Sequence, residues 1–251
     1  MFDLTGRVAV ITGGNGGIGL GMGRALGAHG AALAVWGRNP GKNAAAVAEL
    51  RDGGVDAEAF EVDVADEEQI TAGFDATLAR FGHVDVMIAN AGMSIPGPIH
   101  TLSLDDWRSV FAVNLDAAFL CFRAAAAHMI ERGEGGSLIG VSSTSAVHGA
   151  PANEAYSASK TALLGLVRGL AIELARHGIR ANSLMPGWTE TDLTAPLRSW
   201  DKFMASTIAR TPVRRWGTPD DMGAAAVFLA DPTLTFHTGD CIVVDGGYTI
   251  F

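Results

Sequence analysis

The chain has 251 residues, 48% of them apolar, and its 18 basic against 27 acidic residues give a formal net charge of −9. This apolar content excludes a disordered chain, and the acidic balance argues against a nucleic-acid-binding protein, which needs a basic face. Cys121 and Cys241 are too few and too far apart for a disulfide framework or a metal motif, so we expect a reducing, cytoplasmic compartment and no metal site. We also expect no membrane segment, because no uninterrupted apolar run approaches the roughly 18 residues that a membrane helix needs.

Short apolar runs alternate with helical stretches along the whole chain. The predicted strands are 7–12, 32–36, 57–62, 84–89, 137–141, 179–184 and 241–244. The predicted helices are 17–29, 42–51, 66–81, 104–131, 155–177, 193–209 and 219–230. Buried strands separated by helices predict an α/β fold, a single doubly wound Rossmann domain over 1–251 with seven parallel strands covered on both faces. A (β/α)8 barrel, the structural alternative, needs an eighth strand and phosphate-binding loops late in the chain.

A glycine-rich loop follows the first predicted strand and opens the first helix. Two motif registers are open, Gly14-x-Gly16-x-x-Gly19 and Gly13-x-x-x-Gly17-x-Gly19. Glycines let the backbone approach a pyrophosphate closely, and the helix N-terminus supplies unpaired N–H groups and a positive dipole end. The position between strand and helix therefore predicts a dinucleotide site, although a glycine-rich turn without a ligand is the alternative.

The end of the second strand bears on which dinucleotide binds. An acidic residue there would bind the ribose 2′-hydroxyl of NAD, but this chain has Arg38 and Asn39. An arginine can pair with a 2′-phosphate. We therefore predict that NADP(H) is preferred, with NAD(H) as the second option, although Arg38 could instead be a solvated loop residue.

Tyr156 and Lys160 are four residues apart, which puts them on one face of a helix. A nearby cation favours the phenolate, so a tyrosine beside a lysine can exchange a proton closer to neutral pH. Ser143 lies 13 residues upstream, just past the fifth strand, where it can hydrogen-bond a substrate oxygen. Its neighbour Ser142 is the competing choice. A surface Tyr–Lys pair is the structural alternative.

These residues resemble the short-chain dehydrogenase/reductase family, and the resemblance covers nearly the whole chain. The motifs that carry it are Thr-Gly-x-x-x-Gly-x-Gly at 12–19, Asp63, Asn-Ala-Gly at 90–92, Asn114, Ser143, Tyr-x-x-x-Lys at 156–160, Pro-Gly at 186–187 and Val-Asp-Gly-Gly at 244–247. The resemblance implies cofactor contacts from Gly13, Asn15, Gly16, Gly17, Ile18, Gly19, Arg38, Asn39, Asp63, Val64, Asn90, Ala91, Gly92, Tyr156, Lys160, Pro186, Gly187, Thr189 and Thr191.

The same resemblance implies four catalytic residues. Tyr156 would be the general acid in ketone reduction and the base in alcohol oxidation. Lys160 would lower the pKa of Tyr156 and hold the nicotinamide ribose. Ser143 would hydrogen-bond the carbonyl oxygen as charge develops there, and Asn114 would position a water for proton relay. A mid-helix asparagine is a poor helix former, so we also expect a local distortion at Asn114.

Three regions should line a substrate site: 94–100, 146–154 and a lid-like excursion over about 188–210. Within them, the candidate substrate residues are Ser94, Ser145, His148, Asn153 and Trp188. Within the family, the chain resembles both reductases of 3-oxoacyl-carrier-protein thioesters and dehydrogenases of sugars or sugar acids. A net charge of −9 would repel an acidic carrier protein, so a small polyol, sugar acid or hydroxy or keto compound ranks first and the carrier thioesters second. A non-catalytic dinucleotide sensor is the alternative from another class. We expect a homo-oligomer, a tetramer by resemblance.

Overall fold

The computed structural model, which describes residues 2–251, contains seven parallel strands in one sheet of order β3-β2-β1-β4-β5-β6-β7. The sheet confirms the predicted doubly wound α/β fold and not the barrel. The strands are β1 (Val8–Thr12), β2 (Ala32–Gly37), β3 (Ala57–Glu61), β4 (Val86–Ala89), β5 (Gly136–Val141), β6 (Ile179–Pro186) and β7 (Cys241–Val244). That the domain spans all of 1–251 stays a prediction.

Ten α-helices surround this sheet in the described residues 2–251. They are α1 (Gly17–Ala28), α2 (Pro40–Asp52), α3 (Glu67–Phe81), α4 (Leu104–Phe111), α5 (Ala117–Arg132), α6 (Ser145–His148), α7 (Glu154–Leu174), α8 (Ala195–Arg198), α9 (Asp201–Arg210) and α10 (Gly223–Ala230). A π-helix, Ala112–Asp116, joins α4 to α5. Short 3-10 helices lie at Ala175–His177, Pro219–Met222 and Tyr248–Ile250.

The apolar core forms two layers, one on each face of the sheet. One layer packs residues of α3, α5 and α7 against the strands, and the other packs α1, α2 and α10. Trp36 is fully buried in the first layer, where its indole Nε1 donates to the Thr77 hydroxyl at 3.1 Å. A buried indole needs such a partner.

The stretch Leu104–Arg132 is long and apolar enough, by length and composition alone, to cross a membrane. Phe122 and Met129 on this stretch are buried in the protein core. The same apolar character suits a core helix, and the absence of a membrane segment stays a prediction.

Because the strands are parallel, their C-terminal ends all lie along one side of the sheet, which we call the carboxyl edge. Their N-terminal ends lie along the opposite side, which we call the amino edge. At the amino edge, the buried carboxylate of Asp85 accepts hydrogen bonds from Val8 N at 2.8 Å, Arg7 at 3.0 Å and Arg132 at 2.6 Å. Burial raises the pKa of Asp85, but these donors outweigh burial and hold the pKa below its usual value. The network ties the starts of β1 and β4 to the end of α5.

Candidate active site at the carboxyl edge

The glycine loop leaves β1 at the carboxyl edge and leads into α1. The positive φ angles in the loop fall on Gly13 (63°) and Gly17 (49°), which agrees with the longer of the two motif registers. A Cβ on Gly13 would lie 3.1 Å from the amide nitrogen of Asn90, and one on Gly19 would collide with the Gly13 carbonyl oxygen. Both glycines are therefore required for close packing of the loop against its neighbours.

Gly16 differs from these glycines because a Cβ there would meet no atom within 4 Å. Gly16 also precedes α1, whose N-terminus has no side-chain cap and no acidic residue in its first turn. Open space beside uncapped N–H groups and a positive dipole end suits a pyrophosphate. The chain's own residues therefore fit a dinucleotide at this loop.

The loop after β2 carries the residues predicted to choose between NADP and NAD. The Arg38 side chain is 69% exposed, with its Nη1 3.4 Å from the Asp63 carboxylate. The Asn39 side chain is not free, because it caps α2 by accepting from Lys42 N at 3.0 Å. Asn15 donates to Asn43, which in turn donates to the Gly37 carbonyl, so the glycine loop is braced by α2.

The segment after β4 is held against the end of β1 by the Thr12 hydroxyl and by the Asn90 side chain, which donates to the Thr12 carbonyl at 2.8 Å. Thr12 Oγ1 accepts from the backbone N–H groups of Asn90 and Ala91, both at 2.9 Å. A Cβ on Gly92 would lie 3.4 Å from both Asn114 Oδ1 and Lys160 Nζ, so these two polar groups converge on one point of the backbone. Val64, also predicted at the cofactor, packs its side chain into the core, and its cofactor contact stays a prediction.

Asn114 lies in the π-helix Ala112–Asp116, which confirms the predicted distortion. Its Oδ1 accepts from Met93 N at 2.8 Å, and its Nδ2 donates to the Met93 carbonyl and to Ser159 Oγ, both at 3.0 Å. Extra backbone length in a single π turn is common at functional sites. Ser159, which the sequence analysis did not single out, lies three residues after Tyr156, and that helical spacing was the available signal.

Ser143, Tyr156 and Lys160 converge at the carboxyl end of β5. Ser142, the competing serine, is buried and donates to the Lys160 carbonyl at 2.9 Å, so its hydroxyl is committed to structure. Ser143 is partly exposed, accepts from Ser145 N at 3.1 Å and lies beside Tyr156. This difference favours Ser143 as the serine that can meet a substrate.

Burial controls the titration of both partners of the Tyr–Lys pair. Burial raises the pKa of Tyr156, and the neighbouring Ser143 hydroxyl offsets this only in part. Burial lowers the pKa of Lys160 to about 8. The Lys160 ammonium lies 5.8 Å from the Tyr156 ring centre and donates to the Val141 carbonyl at 2.8 Å. The expected lowering of the Tyr156 pKa by Lys160 therefore differs from the structure, in which desolvation is the larger influence.

The segment after β6 folds back over the glycine loop. Gly187 N donates to the Val244 carbonyl, and a Cβ on Gly187 would lie 2.7 Å from Asp245, so Pro186 and Gly187 lead the chain tightly past β7. Thr189 is buried, with its hydroxyl on the Gly187 carbonyl at 3.0 Å. The Thr191 methyl would lie 3.3 Å from a Cβ on Gly17, which brings this segment against the loop.

The predicted lid over 188–210 contains α8 and α9 and is anchored at two points. On the side of the predicted cofactor site, Lys42 of α2 forms an ion pair with Asp192 at 2.6 Å. On the other side, Trp188 stacks on Trp216 with ring centres 5.3 Å apart, and Phe203 packs edge-on at 5.1 Å from Trp188. Trp188 Nε1 is buried and without a hydrogen-bond partner within residues 2–251. The sequence analysis missed Trp216, which lies outside the predicted lid.

The other candidate substrate residues lie on two sides of the site. Ser94 donates to Asn153 at 2.7 Å, which ties the loop after β4 to the start of α7. Ser145 begins α6, and His148 at the end of α6 packs edge-on against Tyr248 with ring centres 6.2 Å apart. Tyr248 also carries Arg210 over its ring at 4.3 Å, a contact that no local pattern in the sequence indicates.

Comparison with known proteins bears out the family resemblance. Residues 13–249 match a family model described as enoyl-(acyl carrier protein) reductase. The gluconate 5-dehydrogenase of Gluconobacter oxydans is 33% identical, over 100% of this chain and 97% of that protein. The cis-4-hydroxycyclohexanecarboxylate dehydrogenase of Sinomonas cyclohexanicum is 38% identical, over 97% of this chain and 96% of that protein.

A solved structure gives the same result at the level of the fold. The gluconate 5-dehydrogenase from Burkholderia cenocepacia, in complex with NADP and tartrate, superposes with a TM-score of 0.94. It is 39% identical, over 100% of this chain and 98% of that chain. With its glycine loop, its asparagine in a π turn and its Ser–Tyr–Lys cluster at one sheet edge, the chain belongs to the short-chain dehydrogenase/reductase family of NAD(P)-dependent oxidoreductases.

Proposed function

We propose that this enzyme interconverts a secondary alcohol and a ketone with NADP(H) as the preferred cofactor and Tyr156 as the general acid and base. The observation that carries the proposal is the cluster of Ser143, Tyr156 and Lys160, in which the serine hydroxyl lies beside the phenol and the lysine is buried close by. Such a cluster can hold and move one proton beside a substrate oxygen.

The bound nicotinamide supplies the hydride acceptor or donor for this chemistry. The backbone of Gly16 and Gly17 at the N-terminus of α1 would hold the pyrophosphate. Asn90, Ala91 and Gly92 would border the middle of the dinucleotide. Thr189 and Thr191, after β6, would hold the carboxamide end.

Tyr156 would donate its proton to the carbonyl oxygen in reduction and take it from the hydroxyl in oxidation. Ser143 would donate to the same substrate oxygen and stabilise the charge that develops on it. Lys160, with a pKa of about 8, is protonated at neutral pH and can refill the proton that Tyr156 gives up. Asn114, whose amide is close to Lys160 and anchored on Met93, would orient the relay from that lysine to solvent.

The cofactor preference rests on Arg38. Its guanidinium is exposed at the end of β2, and its only carboxylate neighbour within residues 2–251, Asp63, is at 3.4 Å. A 2′-phosphate would give Arg38 a doubly charged, bidentate partner, which is a stronger interaction than that weak pair. The bound NADP of the Burkholderia enzyme supports the same preference.

A small polyol or sugar acid is the proposed substrate class. The named relatives act on gluconate and on a hydroxycyclohexanecarboxylate, both of which are hydroxy acids. Arg210, whose guanidinium lies over the Tyr248 ring beside the site, provides a cationic group that suits a carboxylate. The second candidate is an acyl-carrier thioester, which the match to the enoyl-(acyl carrier protein) reductase family favours.

The test measures oxidation and reduction by the purified protein with NADPH and NADH. The substrates are gluconate, 5-ketogluconate, polyols, 4-hydroxycyclohexanecarboxylate and 3-oxoacyl thioesters, and Tyr156→Phe is the matched control. Turnover of a hydroxy acid by the wild type alone supports the proposal, and saturable reduction of acyl-carrier thioesters with poor hydroxy-acid turnover would reverse the order of substrates. Cofactor binding without turnover of any substrate would favour the dinucleotide sensor.

We also propose that the enzyme works as a homo-oligomer, a tetramer by family resemblance. Large apolar side chains are exposed on the C-terminus, where Ile250 and Phe251 are 89% and 68% accessible, and on α5, where Phe119 is 45% accessible. Apolar surface of this kind marks a contact with another chain. A monomer in sedimentation velocity at micromolar concentration would contradict this proposal.

A further inference from the structure

A second cavity lies at the amino edge of the sheet, at the opposite ends of the strands from the catalytic cluster. Its volume is about 380 Å³, and it opens between the starts of β1, β5 and β6 and the loop that follows α10. Arg7, Glu134, His177 and Arg180 contribute to its wall. No residue assigned above to catalysis or to the cofactor lines this cavity.

Arg180 is the buried cation of this cavity. Only 6% of the residue is exposed, and its hydrogen bond runs from Nη2 to the Asp231 carbonyl at 2.9 Å. Within residues 2–251, Nη1 is buried without a hydrogen-bond partner, and no carboxylate lies within 4 Å of the guanidinium. A guanidinium stays charged in proteins, so Arg180 cannot avoid the cost of its buried, unpaired charge by losing a proton.

Asp85 also lines the cavity, but its carboxylate and that of Asp231 are already engaged elsewhere. Asp85 accepts from Arg7, Arg132 and Val8 N. The Asp231 carboxylate, whose charge reaches Arg180 through space, accepts from Phe2 N and from Thr233.

The wall also carries Glu134 and His177. Glu134 Oε2 lies 3.2 Å from Arg132 Nε as an exposed ion-pair partner. His177 already accepts from Arg176 Nε at 3.1 Å. Within residues 2–251, Arg180 Nη1 is therefore the buried cationic donor of the cavity wall that lacks an acceptor.

We propose that this cavity binds a small oxyanion, with Arg180 as its buried anchor. A planar guanidinium matches the paired oxygens of a phosphate or carboxylate, and such charge-assisted hydrogen bonds are among the strong ones. The Arg7 side chain, 35% exposed, also lines the cavity, with its charge paired to Asp85 at 3.0 Å. The cavity is larger than a bare phosphate ion, which leaves room for a phosphate carried on a small molecule.

Isothermal titration calorimetry with inorganic phosphate tests the site. NADPH is kept saturating throughout, because the glycine loop and Arg38 could otherwise bind phosphate, and chloride at equal ionic strength is the blank. We expect binding of one phosphate per chain. Arg180→Gln should weaken it on the order of tenfold or more, because it removes a charged hydrogen bond.

Two further variants and a second ligand sharpen the result. His177→Glu adds a carboxylate at the rim and should abolish binding, whereas Arg168→Gln removes a positive charge from an exposed position on α7 outside the cavity and should leave binding unchanged. Tighter binding of glycerol 3-phosphate than of inorganic phosphate, with none of glycerol, would identify a phosphate monoester as the ligand class. Equal or weaker binding would identify free phosphate.

The proposal is overturned if the wild type gives no heat beyond the chloride blank. It is equally overturned if Arg180→Gln and His177→Glu bind phosphate as the wild type does. Should Arg180→Gln fail to fold, His177→Glu decides, because unchanged phosphate binding in that variant would exclude the cavity.

Discussion

Lys160 and Asp85 are both buried charged side chains, yet they lie at opposite edges of the sheet in opposite surroundings. Asp85 at the amino edge has two arginine partners and a backbone donor, and its pKa stays below the usual range. Lys160 at the carboxyl edge has no carboxylate within ion-pair distance in residues 2–251, and its pKa falls to about 8. The amino edge fixes its charge in one state, whereas the carboxyl edge leaves a charge that can titrate near neutral pH.

This contrast separates stability from chemistry. A buried ion pair resists the loss of either partner, because removal leaves an uncompensated charge. A buried lysine without an anion costs stability, but its proton is available for transfer. Substitutions at the two edges should therefore affect different measurements.

The largest effect is expected from Tyr156→Phe at the carboxyl edge. Removing the phenol hydroxyl removes the proton donor, so turnover should fall by about 10²–10⁴-fold. The free energy of unfolding should change by less than about 1 kcal/mol, since the ring and its packing remain. Steady-state assays and urea unfolding measure the two quantities, and near-wild-type turnover would refute the assigned role.

At the amino edge, Asp85→Ala should have the opposite effects: a large loss of stability and little change in turnover. It leaves Arg7 and Arg132 without their shared anion, so the free energy of unfolding should fall by about 3–5 kcal/mol. The kcat/KM of the folded fraction should stay close to that of the wild type. Asp75→Ala, at an exposed position on α3, is the matched control, and equal stability of the two variants would contradict the role of the network.

The pH dependence of stability isolates Lys160. Its pKa is about 8 in the folded chain against an ordinary 10.5, so between these values the unfolded chain holds a proton that the folded chain has lost. The wild type should therefore gain stability relative to Lys160→Met as pH rises through this window, by roughly 3 kcal/mol at most. Urea unfolding of both cofactor-free proteins from pH 7 to 9.5 measures the difference between their free energies of unfolding. The titration of all other groups is common to both proteins and cancels in this difference. Parallel curves would show that Lys160 titrates normally.

The smallest effect is expected at Arg38, which is exposed and takes part in neither buried network. Arg38→Ser should raise the KM for NADPH on the order of tenfold, the loss of one charged hydrogen bond to a phosphate, and should leave the KM for NADH unchanged. Arg51→Ser, an exposed arginine paired with Glu58, controls for net charge. Equal changes in the KM for NADPH and for NADH would show that Arg38 does not contribute to the preference for NADP.

Much of the site was predictable because its residues are local to strand ends and helix starts. The glycine loop, the Tyr–Lys spacing and the distortion at Asn114 all depend on near neighbours in sequence, and the structure agrees with the distortion and with the sheet. Contacts between distant segments were not predictable. The Lys42–Asp192 pair, the Trp188–Trp216 stack and the Arg210–Tyr248 contact join residues that no periodic pattern relates.

The sequence by itself determined the parallel sheet and the edge at which the chemistry lies, because buried strands alternating with helices allow few topologies and put every strand end on the same side. Only the tertiary structure decided the state of the charges. Whether Lys160, Asp85 or Arg180 has a partner depends on segments up to 78 residues away, such as Arg7 for Asp85. Desolvation and pairing are properties of that three-dimensional packing, so the proton chemistry of the carboxyl edge and the unpaired donor of the amino-edge cavity emerge only after folding.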